Sequence, residues 1–302
     1  MKPLLVWLAL CIVWGSTWIF IKLGLADLPP VSFAALRFTV ACLLLLPVLL
    51  ILKIQIPKGR KIWIVILITG LLQFFFNYGL LFWGEQYISS GLAAVLQATI
   101  PAFGLVLARI YVGEQITGLK IASILLGLAG VAVIFREQLV LNGQMAFLGS
   151  MAVVVGAFGA AYASVLTKAK GAGTNPASLL FGQMLIGQIP LWLVGLSMEG
   201  SPFNFRWTWQ AVVCVLFLAV VGSIVAFWLY YWLLTKIDVS KAMMISFVTP
   251  LVAVFVGSFF GEKLDLQTLL GGILILLSVF LIVIRPILQR SSRFKVQSSK
   301  SA

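Results

Sequence analysis

Gln97 and Pro101 stand four residues apart in an apolar stretch, and Ser246 and Pro250 repeat the arrangement in a second one. A proline inside a helix removes the hydrogen bond to the carbonyl four residues earlier. Pro101 therefore frees the carbonyl of Gln97, and Pro250 that of Ser246. A freed carbonyl beside an amide or hydroxyl is binding chemistry, able to hold a polar solute where water is scarce. Catalytic chemistry has no comparable support. The chain holds no histidine, so the commonest metal ligand and the usual neutral-pH proton carrier are both missing. Cys11, Cys42 and Cys214 have neither disulfide nor metal-site spacing. No GxxxxGK phosphate loop and no Ser/His/Asp set can be assembled. The expectation is a protein that is not an enzyme and uses no cofactor or metal.

Other polar residues interrupt apolar runs. Gln73 and Asn77 lie close to one helical face with Gly70 and Gly84, while Phe74, Phe75, Phe76 and Trp83 cover the others. Trp14, Ser16, Thr17 and Trp18 combine rings with hydroxyls, and Tyr78, Tyr162, Trp228, Tyr230 and Tyr231 add aromatic surface. The expected solute-binding set is Trp14, Ser16, Thr17, Gln73, Asn77, Tyr78, Gln97, Tyr162, Trp228, Tyr230 and Ser246. Each has a plainer alternative: amides bond neighbouring helices, and aromatic or small-residue stripes serve packing. Arg37 is the clear intramembrane charge, with Glu85 as a plausible partner and Lys241 near the inner mouth. These three form the expected gating set, and a structural ion pair is the alternative to solute contact. With no acid at mid-depth and no histidine, facilitated diffusion or exchange is expected ahead of proton-driven pumping. Glu85 is then the one protonatable gate.

The elements that must position these residues are membrane helices. Hydrophobic residues make up 62% of the 302, charged residues only 10%. Apolar stretches recur at the ~20-residue length that crosses a bilayer, over residues 4–25, 31–52, 62–83, 88–108, 117–135, 145–167, 177–197, 211–233, 239–260 and 267–284. Backbone groups have no water to bond at that depth, so each span must be helical. The first span follows Lys2 like a secretion signal, but it is too long and lacks a cleavage site, so it is expected to be retained. The net charge of +13 is an orientation signal. Lys53, Lys58, Arg60, Lys61, Arg109, Lys120, Lys168 and Lys236 share the side of Lys2, whereas Lys22, Arg136, Arg206 and Lys263 lie opposite. Both termini are therefore expected in the cytoplasm, with no nucleic-acid partner.

The spans form two related sets. One constant offset carries Ala93, Gln97, Pro101, Gly104 and Ala108 onto Ala242, Ser246, Pro250, Ala253 and Gly257, and Tyr78 and Trp83 onto Phe227 and Trp232. Gly113-Glu114 recurs as Gly261-Glu262 and Arg136 as Arg285. A slightly shorter offset carries Lys22, Pro30, Ser32 and Arg37 onto Lys168, Pro176, Ser178 and Gln183. The expected divisions are residues 1–137 and 138–285, each a five-helix repeat, and a basic disordered cytoplasmic tail, 286–302. Five being odd, the repeats must enter the membrane in opposite directions, an architecture that places a site at their interface.

These features together resemble the drug/metabolite transporter superfamily, of the EamA-like kind. The resemblance rests on Trp14-Gly15-Ser16-Thr17-Trp18, Ala35-Leu36-Arg37-Phe38, and the two repeat ends, Pro101 to Glu114 and Pro250 to Glu262. It implies an all-α polytopic fold of ten helices in inverted repeats around a central cavity, with alternating access and often export of amino acids, metabolites or drugs. It also implies that the fifth and tenth helices buttress the bundle, which suits Ser123, Gly127 and Gly271-Gly272. The expected protein is a permease of a bacterial-type inner membrane, monomeric or homodimeric, whose partners are the lipid bilayer and a small molecule. That solute is amphipathic, such as an aromatic or apolar amino acid. An exchanger of anionic, phosphorylated metabolites, with Arg37 and Lys241 as anchors, and a scaffold subunit without transport are the alternatives.

Overall fold

The structure is a computed structural model that describes residues 2–88, 90–134, 136, 143–258 and 266–284. The expected Gly261-Glu262 pair, Lys263, Arg285, the tail, the 137/138 division and the last residues of the fifth and ninth spans lie outside them.

Among the described residues every regular element is helical. Proline opens α1 (Pro3–Gly24), α2 (Pro30–Ile51) and α7 (Pro176–Met198), where its missing N–H costs no bond. The Asn175 side chain caps α7 by accepting from the Ala177 amide. The other spans are α3 (Arg60–Gly84), α5 (Gly118–Ile134), α6 (Gln144–Lys170) and α8 (Trp209–Leu234), together with three that are broken or extended. α4 runs as Ser90–Gln97 and Ile100–Tyr111, α9 as Val239–Met243 and Ile245–Ser258, and α10 as Leu266–Val279 with a π-helical end, Phe280–Ile284. Seven helices of 20 to 27 residues are long and apolar enough to cross a membrane, and three shorter ones are apolar as well.

Burial is inverted relative to a protein folded in water. Leu43, Leu50, Ile110, Leu125 and Leu193 all point outward, each more than 60% exposed, while Arg37, Gln73, Asn77, Gln97, Gln183 and Gln188 are buried. Apolar side chains outside and amides inside suit hydrocarbon as the surrounding solvent. The protein is a multi-pass membrane protein.

Its packing follows a pseudo-two-fold. α2 packs on α7 and α5 on α10, the two self-paired contacts. α1 meets α9 as α6 meets α4, α1 meets α8 as α6 meets α3, and α3 meets α7 as α8 meets α2. Exchanging the repeats maps the two self-paired contacts onto themselves and each of the others onto its partner. The α5–α10 seam is backbone against backbone. A Cβ added to Gly130 would come within 2.8 Å of the Gly271 carbonyl oxygen, and one on Gly271 within 2.5 Å of the Gly130 carbonyl oxygen. Only glycine permits that approach.

Candidate functional site: a cavity between the repeats

Two equivalent helices carry the local irregularity that shapes the centre. α3 is π-helical over Leu71–Asn77 and α8 over Val220–Val225, matching positions of the two repeats. A π-turn widens the helix by a residue and leaves carbonyls out of the regular ladder, a feature common at functional sites. In α8 the Gly222 carbonyl accepts from Trp14 Nε1 at 3.3 Å and from Arg37 Nη2 at 2.9 Å, and the Ser223 hydroxyl accepts from Arg37 Nε at 2.8 Å. In α3 the π-segment carries Gln73 and Asn77.

A cavity of about 140 Å³ lies between these helices. Since one water needs ~10–15 Å³ measured this way, the space suits several waters or a small solute. α1 supplies Trp14, Thr17, Trp18 and Ile21, α2 Arg37, α3 Gln73, Asn77, Tyr78 and Leu81, and α4 Gln97 and Ile100. From the second repeat come Ala160 and Ser164 on α6, Phe227 and Tyr230 on α8, and Ala242, Met243, Ile245, Ser246 and Thr249 on α9. Gln97 Nε2 donates to Asn77 Oδ1 at 3.0 Å, tying α4 to α3 at the wall. Trp14 sets its ring edge-on to Phe227 and Tyr230, with centroids 5.3 and 5.2 Å away.

Of the residues singled out in the sequence, Trp14, Thr17, Arg37, Gln73, Asn77, Tyr78, Gln97, Tyr230 and Ser246 line this one space. Ser16, Tyr162, Trp228, Glu85 and Lys241 are not in its lining. Ser16 donates to the Val13 carbonyl of its own helix. The Tyr162 hydroxyl meets that of Tyr111 at 2.8 Å. Lys241 pairs with Asp238 at 2.9 Å. Glu85 lies in a separate pocket with Asp27, Pro29, Pro30 and Gln86, so the partner expected for Arg37 is replaced by Gly222 and Ser223 of α8. One Glu85 carboxyl oxygen is buried with no hydrogen-bond partner among the described residues, and burial pushes the carboxyl up to about 8.

The prolines act differently from each other. α4 breaks between Gln97 and Ile100, and Pro101 sits in the first turn of the second piece, so the helix restarts at the cavity wall. α9 breaks at Met244, and Pro250 lies inside its longer piece. There the Ser246 carbonyl is not left open, because the Thr249 hydroxyl donates to it at 3.4 Å. Ser164 and Thr249 are lining hydroxyls that the sequence reading passed over. The signal for Thr249 was its spacing, one helical turn from Ser246; Ser164 had none of that kind. The π-segments had no comparable sequence signal.

On the face where α1 begins, polar contacts tie α1, α5, α6 and the end of α4 to the start of α9 and the turn before it. The Glu114 carboxylate, beyond the end of α4, accepts from the Val239 amide and the Ser240 hydroxyl, both at 2.6 Å, and from Lys120 Nζ at 3.2 Å. A carboxylate on the first amides of α9 uses the free donors and the dipole of that helix end. Trp7 Nε1 donates to the Lys241 carbonyl at 3.1 Å, and Lys168 Nζ to that of Ile237. Beside them burial pushes the Asp238 carboxyl upward, but its bond to Lys241 and the nearby Lys120 and Lys168 charges outweigh that and hold it below its ordinary value.

The fold and sequence have close counterparts. A solved crystal structure superposes with a TM-score of 0.81 over 93% of this chain and 96% of that chain, at 17% identity. The uncharacterized transporter YoaV of Bacillus subtilis is 27% identical over 93% of this chain and 96% of its own. The uncharacterized inner membrane transporter YedA of Escherichia coli K12 is 31% identical over 84% of this chain and 81% of its own. A protein of the same organism named as a probable amino-acid metabolite efflux pump is 27% identical over 91% and 92%. The EamA-like transporter family matches residues 1–136 and again 147–284, the two halves that the pseudo-two-fold relates. The chain therefore belongs to the EamA-like transporter family, and it is a membrane transporter of the drug/metabolite type.

Proposed function

We propose that the protein carries a small amphipathic organic solute, such as an aromatic or apolar amino acid or a related metabolite, across a bacterial-type inner membrane. It works by alternating access, through facilitated diffusion or exchange, with both termini in the cytoplasm. The observation that carries this reading is the mixed lining of the central cavity. The rings of Trp14, Trp18, Tyr78, Phe227 and Tyr230 face the same space as the amides of Gln73, Asn77 and Gln97. Rings shelter an apolar side chain, and a few placed polar groups orient its head, the usual division of labour in a small-molecule pocket. The family supports transport, and the relative named for amino-acid metabolite efflux supports the solute class.

Alternating access is supported by the repeat architecture, which the family match shows in both halves. The Glu114 contacts tie the end of α4 to the start of α9 on the face where α1 begins, and in this reading they part when the cavity opens to that side. Lys241 is held by Asp238 and lies outside the lining, which weighs against a two-cation site for phosphorylated metabolites. The test is a solute panel in proteoliposomes, with and without a pH gradient. Saturable movement of aromatic or apolar amino acids, not concentrated by the gradient, is expected. Accumulation driven by the gradient would overturn the facilitator reading, and no flux of any such solute would overturn the solute class.

A further inference from the structure

Arg37 is 1% exposed within the membrane-spanning bundle. Its guanidinium carries five N–H donors and no acceptor. Nε is used by Ser223 and Nη2 by Gly222. Nη1 is buried with no hydrogen-bond partner among the described residues. The charge itself is also unmatched there, because no carboxylate forms an ion pair with Arg37 and no acidic residue lines the cavity. A buried cation without a counter-charge is among the costliest groups a protein interior can hold.

The architecture does not require this charge. Gln183 holds the equivalent position in the second repeat and is neutral and satisfied. Its amide donates to the Thr69 hydroxyl at 2.6 Å and the Thr167 hydroxyl at 3.2 Å, and its oxygen accepts from the Tyr231 hydroxyl at 2.5 Å. The repeat that faces the cavity with Arg37 thus keeps a cost that its twin avoids. The guanidinium is also held in place. Its carbon lies 4.8 Å from the Tyr78 ring centroid and 5.3 Å from that of Phe38, which fixes the plane of the fork.

We propose that Arg37 is the anchor for a single carboxylate on the transported solute, with Nη1 as the donor reserved for it. This rests on the transport reading above and narrows it to solutes bearing one negatively charged planar group beside an apolar body. Arg37 is the one cation in the cavity lining among the described residues, so a monoanion is matched and a dianion is not.

The probes are 3-phenylpropionate and its neutral isostere 3-phenylpropionamide, titrated at pH 7 into purified protein in nanodiscs and read by tryptophan fluorescence. Wild type should bind the carboxylate at least about tenfold more tightly than the amide, the size expected for one charge-assisted hydrogen-bonded contact. Arg37→Gln, copying the other repeat, should erase that preference by weakening the carboxylate far more than the amide, and Arg37→Lys should retain part of it. Equal binding of the two probes by wild type overturns the proposal even if Arg37→Gln fails to fold, as does a preference that survives in folded Arg37→Gln. Flux of the same probes in proteoliposomes separates the two readings. Selective binding without flux contradicts transport and leaves the anchor standing, whereas equal flux of both probes keeps transport and removes the anchor.

Discussion

Gln97 and Asn77 are the residues whose roles are most sharply defined by one contact. Their 3.0 Å hydrogen bond joins α4 to α3 at the cavity wall, and both side chains line the space. Interhelical hydrogen bonds in membranes average only ~0.6 kcal/mol, so losing this one should cost little stability. Gln97→Leu also strips a polar group from the wall and leaves Asn77 Oδ1 without its partner. Solute flux should fall by about tenfold or more, the equivalent of one lost hydrogen-bond group, while the thermal midpoint in detergent moves little. Glu85 makes a different prediction. Burial raises its carboxyl from the ordinary value of 4.5 to about 8, so the folded state holds the proton more tightly than the unfolded chain. Stability is then greatest below the ordinary value, falls as pH rises from 4.5 to about 8, and is level above that. Glu85→Gln should flatten this slope in melting curves recorded from pH 5 to 9. An unchanged slope would assign the pH dependence to other groups.

The elements show which features of sequence carry structural information and which do not. Helix existence and the cavity-facing sides were legible because hydrocarbon leaves only one backbone solution and because a buried amide is too costly to place at random. Gln73, Asn77 and Gln97 stand out for that reason, Ser246 for its place beside Pro250, and all four line the cavity. Tyr162 and Trp228 were misplaced because an aromatic ring costs nothing on a packing face, so its presence says little about direction. The π-segments Leu71–Asn77 and Val220–Val225 were invisible. One inserted residue in a helix changes no composition and hardly any periodicity, yet it exposes the Gly222 carbonyl that holds Arg37. At the α5–α10 seam the glycines were legible, but not that Gly130 and Gly271 face each other's carbonyls. Gly271→Val must push two helix backbones apart, which should cost about 1–3 kcal/mol as overpacking does. A lowered melting midpoint is expected, with the ranking of transported solutes unchanged. A change in that ranking would mean the seam reaches the cavity.

At the scale of the molecule, the proposed route runs between two repeats that a pseudo-two-fold relates. Contacts related by the exchange of repeats are chemically unequal. Arg37 faces Gly222 where Gln183 faces Thr69, and Glu114 pins the start of α9 on the face where α1 begins while Glu199 holds the start of α2 on the other. The proposed mechanism needs two arrangements of similar energy, each closing one mouth, with the Glu114 contacts parting in one of them. Glu114→Ala removes the acceptor for two donors at the start of α9 and should raise modification, by a membrane-impermeant thiol reagent, of a cysteine placed at Ser246. Because the native cysteines Cys11, Cys42 and Cys214 are buried, the background should be low. The most direct measurement is uptake of radiolabelled phenylalanine by proteoliposomes containing wild type or Ser246→Trp, both checked for folding by size exclusion. Wild type should give saturable uptake, and an indole filling the space between Gln97 and Thr249 should reduce it to the rate of empty liposomes. Undiminished uptake through the filled cavity would contradict a route between the two repeats.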